Sequence, residues 1–94
     1  MAEIVFANSA WEDLDSITDY ISLDSPRFAQ EFSDRLIERV EQLNEFPNSG
    51  RVVPEFQNEE LRELIYGKYR IVYRNYNNKK IVILRIIHGA KLLD

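Results

Sequence analysis

The last third of the chain holds three β-prone runs, Leu61 to Tyr66, Tyr69 to Tyr76 and Lys79 to His88, separated by two very short links. Links that short leave no room for a crossover, so neighbouring strands must run antiparallel. Gly67-Lys68 suits a type II′ turn, with glycine taking the positive φ. Asn77-Asn78 suits a type I′ turn, because asparagine tolerates the left-handed region. The expected result is a meander. Ile81-Val82-Ile83-Leu84 is apolar at consecutive positions, which predicts a central strand covered on both faces at its start. A small meander with an apolar face does not stand alone, so residues 1–60 must roof it.

Two amphipathic segments answer that need. Trp11, Leu14, Ile17 and Ile21 form one helical stripe. Ser9 followed by Glu12 predicts a capping box at its start. Ser25 is the expected cap of a second helix, with Pro26 at the first helical position. Its stripe is Phe28, Phe32, Leu36, Val40 and Leu43, and Phe46-Pro47 ends it. Asp34, Glu38, Glu41 and Glu45 beside Arg35 and Arg39 predict intrahelical ion pairs. The short link between the helices implies an antiparallel hairpin. Glu3 to Ala7 reads as a strand that adds at a sheet edge, and Pro47 to Glu59 as a loop. The expected class is α+β, a two-layer β-α-α-β-β-β fold with a helical hairpin on a small antiparallel sheet. It forms a single domain over residues 1–94.

Composition removes several function classes. The chain has no cysteine and one histidine, which excludes disulfides, thiolate chemistry and a multi-histidine metal site. The longest apolar runs are four residues, too short for a bilayer. Met1-Ala2-Glu3-Ile4 lacks the basic-then-apolar order of a secretion signal, so the cytoplasm is the expected location. No Gly-rich phosphate loop, nucleophile elbow or hydrolytic carboxylate pair stands out, so neither a cofactor nor a metal is expected. Charge is segregated. Residues 1–60 carry fourteen acids and four bases, a net −10; residues 61–94 carry two acids and eight bases, a net +6; the chain totals −4. That split fits two surfaces with different partners, or simply an acidic helical face beside a basic sheet.

The basic third carries the candidate chemistry. In a strand over Tyr69 to Tyr76, Arg70, Val72, Arg74 and Tyr76 share one face, and Tyr69, Ile71 and Tyr73 the other. Arg62 lies on the preceding strand, Arg85 and His88 on the following one, and Lys91 just beyond it. Arginines interleaved with tyrosines on an open sheet grip phosphates and stack bases. A cross-strand ladder of solvated side chains gives the same pattern. His88 is the only imidazole, suited to proton transfer if it reaches a substrate; it equally fits a surface or packing residue.

Several ordered segments resemble one known family. Trp11 precedes Leu14 and Ile17; Leu43 is followed by Phe46-Pro47, Gly50-Arg51 and Pro54-Glu55. Leu61-Arg62-Glu63-Leu64 leads into Tyr69-Arg70-Ile71-Val72-Tyr73-Arg74, and Ile81-Val82-Ile83-Leu84 into Ile87-His88-Gly89. Nearly the whole chain thus resembles the ParE/RelE superfamily of small toxins from bacterial toxin–antitoxin pairs.

The resemblance implies a toxin neutralised by a cognate antitoxin encoded beside it. ParE-like members inhibit DNA gyrase and have no established catalytic residues. RelE-like members cut messenger RNA on the ribosome with a basic and aromatic constellation. Arg70 matches the RelE-like arginine of the middle strand. Arg62 falls near the paired basic positions before it, the second of which is Leu64 here. Lys91 lies near the arginine that follows the last strand, and no counterpart of the C-terminal tyrosine precedes Asp94. On the nuclease reading, Arg62 and Arg70 would hold the phosphate, Arg85 or Lys91 would offset developing charge, and His88 would move the proton.

Gly50-Arg51, Pro54-Glu55 and Leu61-Arg62-Glu63-Leu64 look more like ParE. A pI of about 5.0 is also poor for phosphate-driven RNA affinity. The favoured expectation is therefore a gyrase-directed toxin, with a ribosome-dependent endoribonuclease as the alternative and a non-toxic protein-binding module as a third. The antitoxin is expected to fold on binding, in an apolar groove that includes Trp11 and Leu14.

Overall fold

A computed structural model describes residues 1–91 and 93. The order is β1 (Glu3–Phe6), α1 (Asn8–Ser22), α2 (Pro26–Glu41), a 3₁₀ turn (Gln42–Asn44), β2 (Arg51–Val52), β3 (Leu61–Tyr66), β4 (Tyr69–Tyr76) and β5 (Lys80–His88). The strands form one sheet in the order β1-β5-β4-β3-β2, and the helical hairpin covers one face. The two-layer α+β expectation holds with two corrections. Arg51–Val52, inside the stretch read as a loop, forms a fifth strand at the edge beside β3. The sheet is mixed rather than antiparallel, because β1 pairs in parallel with β5. A parallel pair needs a long connection, and here nearly the whole chain lies between its two members.

Both tight turns form. Gly67 takes φ +56°. Asn77 and Asn78 take φ +55° and +62°, and the Lys79 N–H closes their turn on the Tyr76 carbonyl at 3.0 Å. Pairing resumes at Lys80, opposite Tyr76.

A β-bulge on β5 decides which of its side chains meet the helices. Val72 pairs with Arg85 but Tyr73 with Ile83, so Leu84 is the extra residue. Ile81 and Ile83 face the helices before the bulge and Ile86 after it. Strict alternation would have put Arg85 in the core. Val82 and Leu84 are only half-buried, so the start of β5 is not covered on both faces. The buried core joins Ala10 and Leu14 of α1 to Leu36 and Val40 of α2. From the sheet it takes Leu64, Ile71, Tyr73, Ile81, Ile83 and Ile86.

Helix α2 starts as expected, with the Ser25 hydroxyl accepting the Phe28 N–H at 3.1 Å and Pro26 in the first position. The capping box at Ser9 does not form. Ala7 is the cap residue, Ser9 lies within the first turn, and its hydroxyl donates to the Leu84 carbonyl at 2.7 Å. The bulge residue thereby gains a partner. The expected ion pairs of α2 are also absent: among the described residues its one ion pair is Arg27–Glu31 at 3.8 Å, and Arg39 bonds Gln42. Among the described residues, no helix is long and apolar enough to cross a membrane.

Candidate functional site

The face of the sheet away from the helices carries a buried charge cluster. The β3–β4 register places Glu63 opposite Val72, one step from Arg70 on the same face. Both residues are almost fully buried, at 1% and 4% exposure. The Arg70 Nε donates to Glu63 Oε1 at 2.7 Å. Its Nη1 and Nη2 donate to Glu55 Oε2 and Oε1, both at 2.7 Å. Arg51, held opposite Glu63 by β2, donates to Glu63 Oε2 at 2.6 Å. Two guanidiniums and two carboxylates thus cancel one another. The Arg70 fork and the Leu93 N–H together hold the Glu55 carboxyl well below its usual range, at about 2. Hydrogen bonding to Glu55, more than to Glu63, raises the Arg70 pKa against the opposing effect of burial. A shallow cleft of about 330 Å³, lined by Arg51, Pro54, Glu55, Arg70 and Gly89, opens beside the cluster.

The other candidate residues lie elsewhere. Arg62 pairs with Tyr73 and so shares the helix-side face. Its guanidinium is spent on loop carbonyls, those of Gly50 at 2.9 Å and Glu59 at 3.0 Å. Arg85 emerges from the bulge and binds Asp13 of α1 at 2.7 and 3.1 Å, and Asp13 also accepts the Ile86 N–H. Hydrogen bonding to Asp13 raises the Arg85 pKa. His88 pairs with Tyr69 on the helix-side face, edge-on at 6.0 Å between ring centroids, and its Nδ1 accepts the Ala90 N–H at 3.2 Å. Lys91 meets Arg70 through its backbone carbonyl, at 3.0 Å. Arg74 shares the back face with Arg70, but it pairs with Glu60 and sits over the Tyr76 ring. The five candidates therefore do not converge.

Gly50 has a role of its own. Its N–H donates to the Tyr73 hydroxyl at 3.0 Å, and that hydroxyl donates to the Pro47 carbonyl at 2.9 Å. A Cβ at Gly50 would lie 2.6 Å from the Glu63 carbonyl and 2.7 Å from the hydroxyl. Burial pushes the Tyr73 phenol up. These contacts pin the loop that carries Arg51. Of the two expected antitoxin contacts, Leu14 is in the core at 4% exposure. Trp11 is 42% exposed and stacks on Phe6 at 4.2 Å. Among the described residues, no group of three or more His, Asp or Glu side chains is placed to hold a metal.

Sequence reasoning singled out the arginine and missed its partners, Glu55, Glu63 and Arg51. One signal was present. Glu63 is the lone carboxylate of β3, flanked beyond Arg62 by Leu61, Leu64 and Ile65, and tight pairing of β3 to β4 through Gly67-Lys68 sets it on the Arg70 face.

A helical hairpin on a five-stranded mixed sheet is the architecture of the ParE/RelE superfamily of toxins. Within it, the chain belongs to the ParE family: the model of the ParE toxin of the parDE type II toxin–antitoxin system matches residues 4–93. A curated relative, Toxin RelE2 of Caulobacter vibrioides, is 34% identical over 92 residues, covering 98% of this chain and all of the relative. Among solved structures, the chromosomal ParDE system of P. aeruginosa aligns with a TM-score of 0.76 at 28% identity, over 94% of this chain and 96% of that one. The RelBE2 toxin–antitoxin complex of Mycobacterium tuberculosis aligns with a TM-score of 0.65 at 22% identity, over 93% and 96%, a likeness of fold. The protein is a type II toxin–antitoxin toxin.

Proposed function

We propose that this toxin inhibits DNA gyrase by binding it, without cutting RNA, in the cytoplasm, as a single toxin domain over residues 1–94, and that a cognate antitoxin neutralises it. The observation that carries this reading is the state of Arg70. Cleavage of a phosphodiester needs cationic donors aimed at the charge that develops in the transition state. Every guanidinium nitrogen of Arg70 is already bonded to a carboxylate, and its side chain is 5% exposed. Arg85 is held by Asp13 and Arg62 by carbonyls, while His88 is on the other face of the sheet from Arg70. The match to the ParE family over residues 4–93 supports the same reading.

The competing reading is a ribosome-dependent endoribonuclease, favoured by the likeness to Toxin RelE2. It requires Arg70 to leave its carboxylates, with Arg62, Arg85, His88 and Lys91 moving towards it. Induction in a bacterium separates the two. Gyrase inhibition gives filamentation and DNA-damage signalling with translated messages intact. Codon-linked cuts in primer extension, abolished by Arg70→Ala, would replace it with the nuclease.

The neighbouring solved structures come from toxin–antitoxin systems, which supports an antitoxin as this chain's partner. We assign Trp11 to that contact, because it is the exposed aromatic at the junction of β1 and α1. Leu14 contributes only by supporting the helix beneath.

A further inference from the structure

We propose that Arg70 is an oxyanion seat which the chain keeps closed with its own Glu55, and that a carboxylate or phosphate group from outside can exchange with that side chain. The seat is built. Three donors converge on the Glu55 carboxylate: Arg70 Nη1 and Nη2 at 2.7 Å, one to each oxygen, and the Leu93 N–H at 3.1 Å. A planar guanidinium fork with an added backbone N–H recognises any oxyanion with two oxygens at carboxylate spacing.

Glu63 and Glu55 are not equivalent occupants. Glu63 lies inside β3 with its side chain wholly buried and a second guanidinium on its other oxygen. It orients Arg70 and stays with it. Glu55 lies in the connection between β2 and β3, beside the cleft it shares with Arg51 and Gly89, and its side chain is 17% exposed. Withdrawing Glu55 frees one N–H on each terminal nitrogen of Arg70, while Nη1 keeps the Lys91 carbonyl and the contacts to Glu63 remain. It also leaves a cluster of two guanidiniums and one carboxylate, which carries a net positive charge. The incoming group restores the balance.

The exchange has a second consequence. Glu55 accepts the Leu93 N–H, and Arg70 donates to the Lys91 carbonyl at 3.0 Å. The same ion pair therefore holds the Lys91 carbonyl and the Leu93 N–H beside the cluster. A ligand in the seat takes over the hold on the Leu93 N–H. This proposal bears on the proposed function: a seat that takes carboxylates and not phosphate leaves Arg70 unavailable to a phosphodiester and the gyrase reading intact, capture of phosphate would favour the nuclease, and a closed seat leaves the gyrase reading to the supercoiling assay alone.

The test is chemical complementation of Glu55→Ala. Its melting midpoint is measured in sodium acetate, sodium phosphate and sodium chloride at matched ionic strength. Acetate or phosphate should raise the midpoint saturably above chloride, by about 7 °C once tenfold over its dissociation constant. The wild-type midpoint should show no such difference. A stronger response to acetate assigns the seat to carboxylates, and a stronger response to phosphate assigns it to phosphate groups. Equal responses of wild type and variant, or none above chloride, would overturn the proposal. If Glu55→Ala does not fold, Glu55→Gln is titrated by NMR instead. Saturable shifts at the Arg70 Nε and the Leu93 amide on adding either anion support the seat, and silence at both removes it.

Discussion

Replacing Arg70 by leucine isolates the physical role of the back-face cluster. The substitution removes three bonds to carboxylates and leaves Glu63, whose side chain is fully buried, with Arg51 alone. Breaking one partner of a buried ion pair costs about 3–5 kcal/mol, because the other charge is left uncompensated. A chain of 94 residues has about 5–14 kcal/mol in total. Arg70→Leu should thus lose a large part of its stability and melt about 20 °C lower. Removing the buried carboxylate as well should reverse most of that loss. Glu63→Leu with Arg70→Leu leaves Arg51, which is largely exposed and loses little when unpaired, and Glu55, which keeps the Leu93 N–H and borders the open cleft. The coupling between the two sites should exceed about 2 kcal/mol. Urea denaturation followed by Trp11 fluorescence measures all three variants. An Arg70→Leu protein within about 1 kcal/mol of wild type, or a double variant no more stable than the single one, would refute the reasoning.

Three further outcomes follow from the same contacts. The Glu55 carboxyl falls from 4.5 to about 2 on folding, so its stabilising contribution is complete above the unfolded value and is lost as pH drops towards 2; acid unfolding should be shallower in Glu55→Gln than in wild type between about pH 5 and 2. Gly50→Ala should destabilise by about 1–3 kcal/mol, since its methyl would collide with the Glu63 backbone and the Tyr73 hydroxyl, and calorimetry checks it. Trp11→Ala should weaken antitoxin binding by about 1–2 kcal/mol with little loss of stability, whereas Leu14→Ala should cost about 2–5 kcal/mol of stability; titration and melting together separate the two roles.

The fold was largely legible because its signals are local. Gly67 and the Asn77-Asn78 pair demand positive φ, Ser25-Pro26 starts a helix, and the Leu36, Val40 and Leu43 stripe must be buried. What escaped depends on pairing between distant segments. The parallel partner of β1 is set by how the hairpin packs, and no residue in Glu3–Phe6 announces it. The bulge at Leu84 moves Arg85 to the other face, and an apolar run reads the same with or without it. Ser9 carried a good capping signal, but the cap is Ala7, two residues earlier, and the hydroxyl serves the bulge instead. The candidate site was half legible. Arg70 stands out as an arginine in an interior strand. Its neutralisation depends on Glu55, fifteen residues away across an irregular connection, so no local pattern reports it.

The most direct measurement is negative supercoiling of relaxed plasmid by purified DNA gyrase as the toxin is titrated in, beside a translation reaction scored for message cleavage. The account predicts that supercoiling stops at saturating toxin, returns when the cognate antitoxin is added, and that translated messages remain whole. Normal supercoiling at saturation together with codon-linked cuts would contradict it.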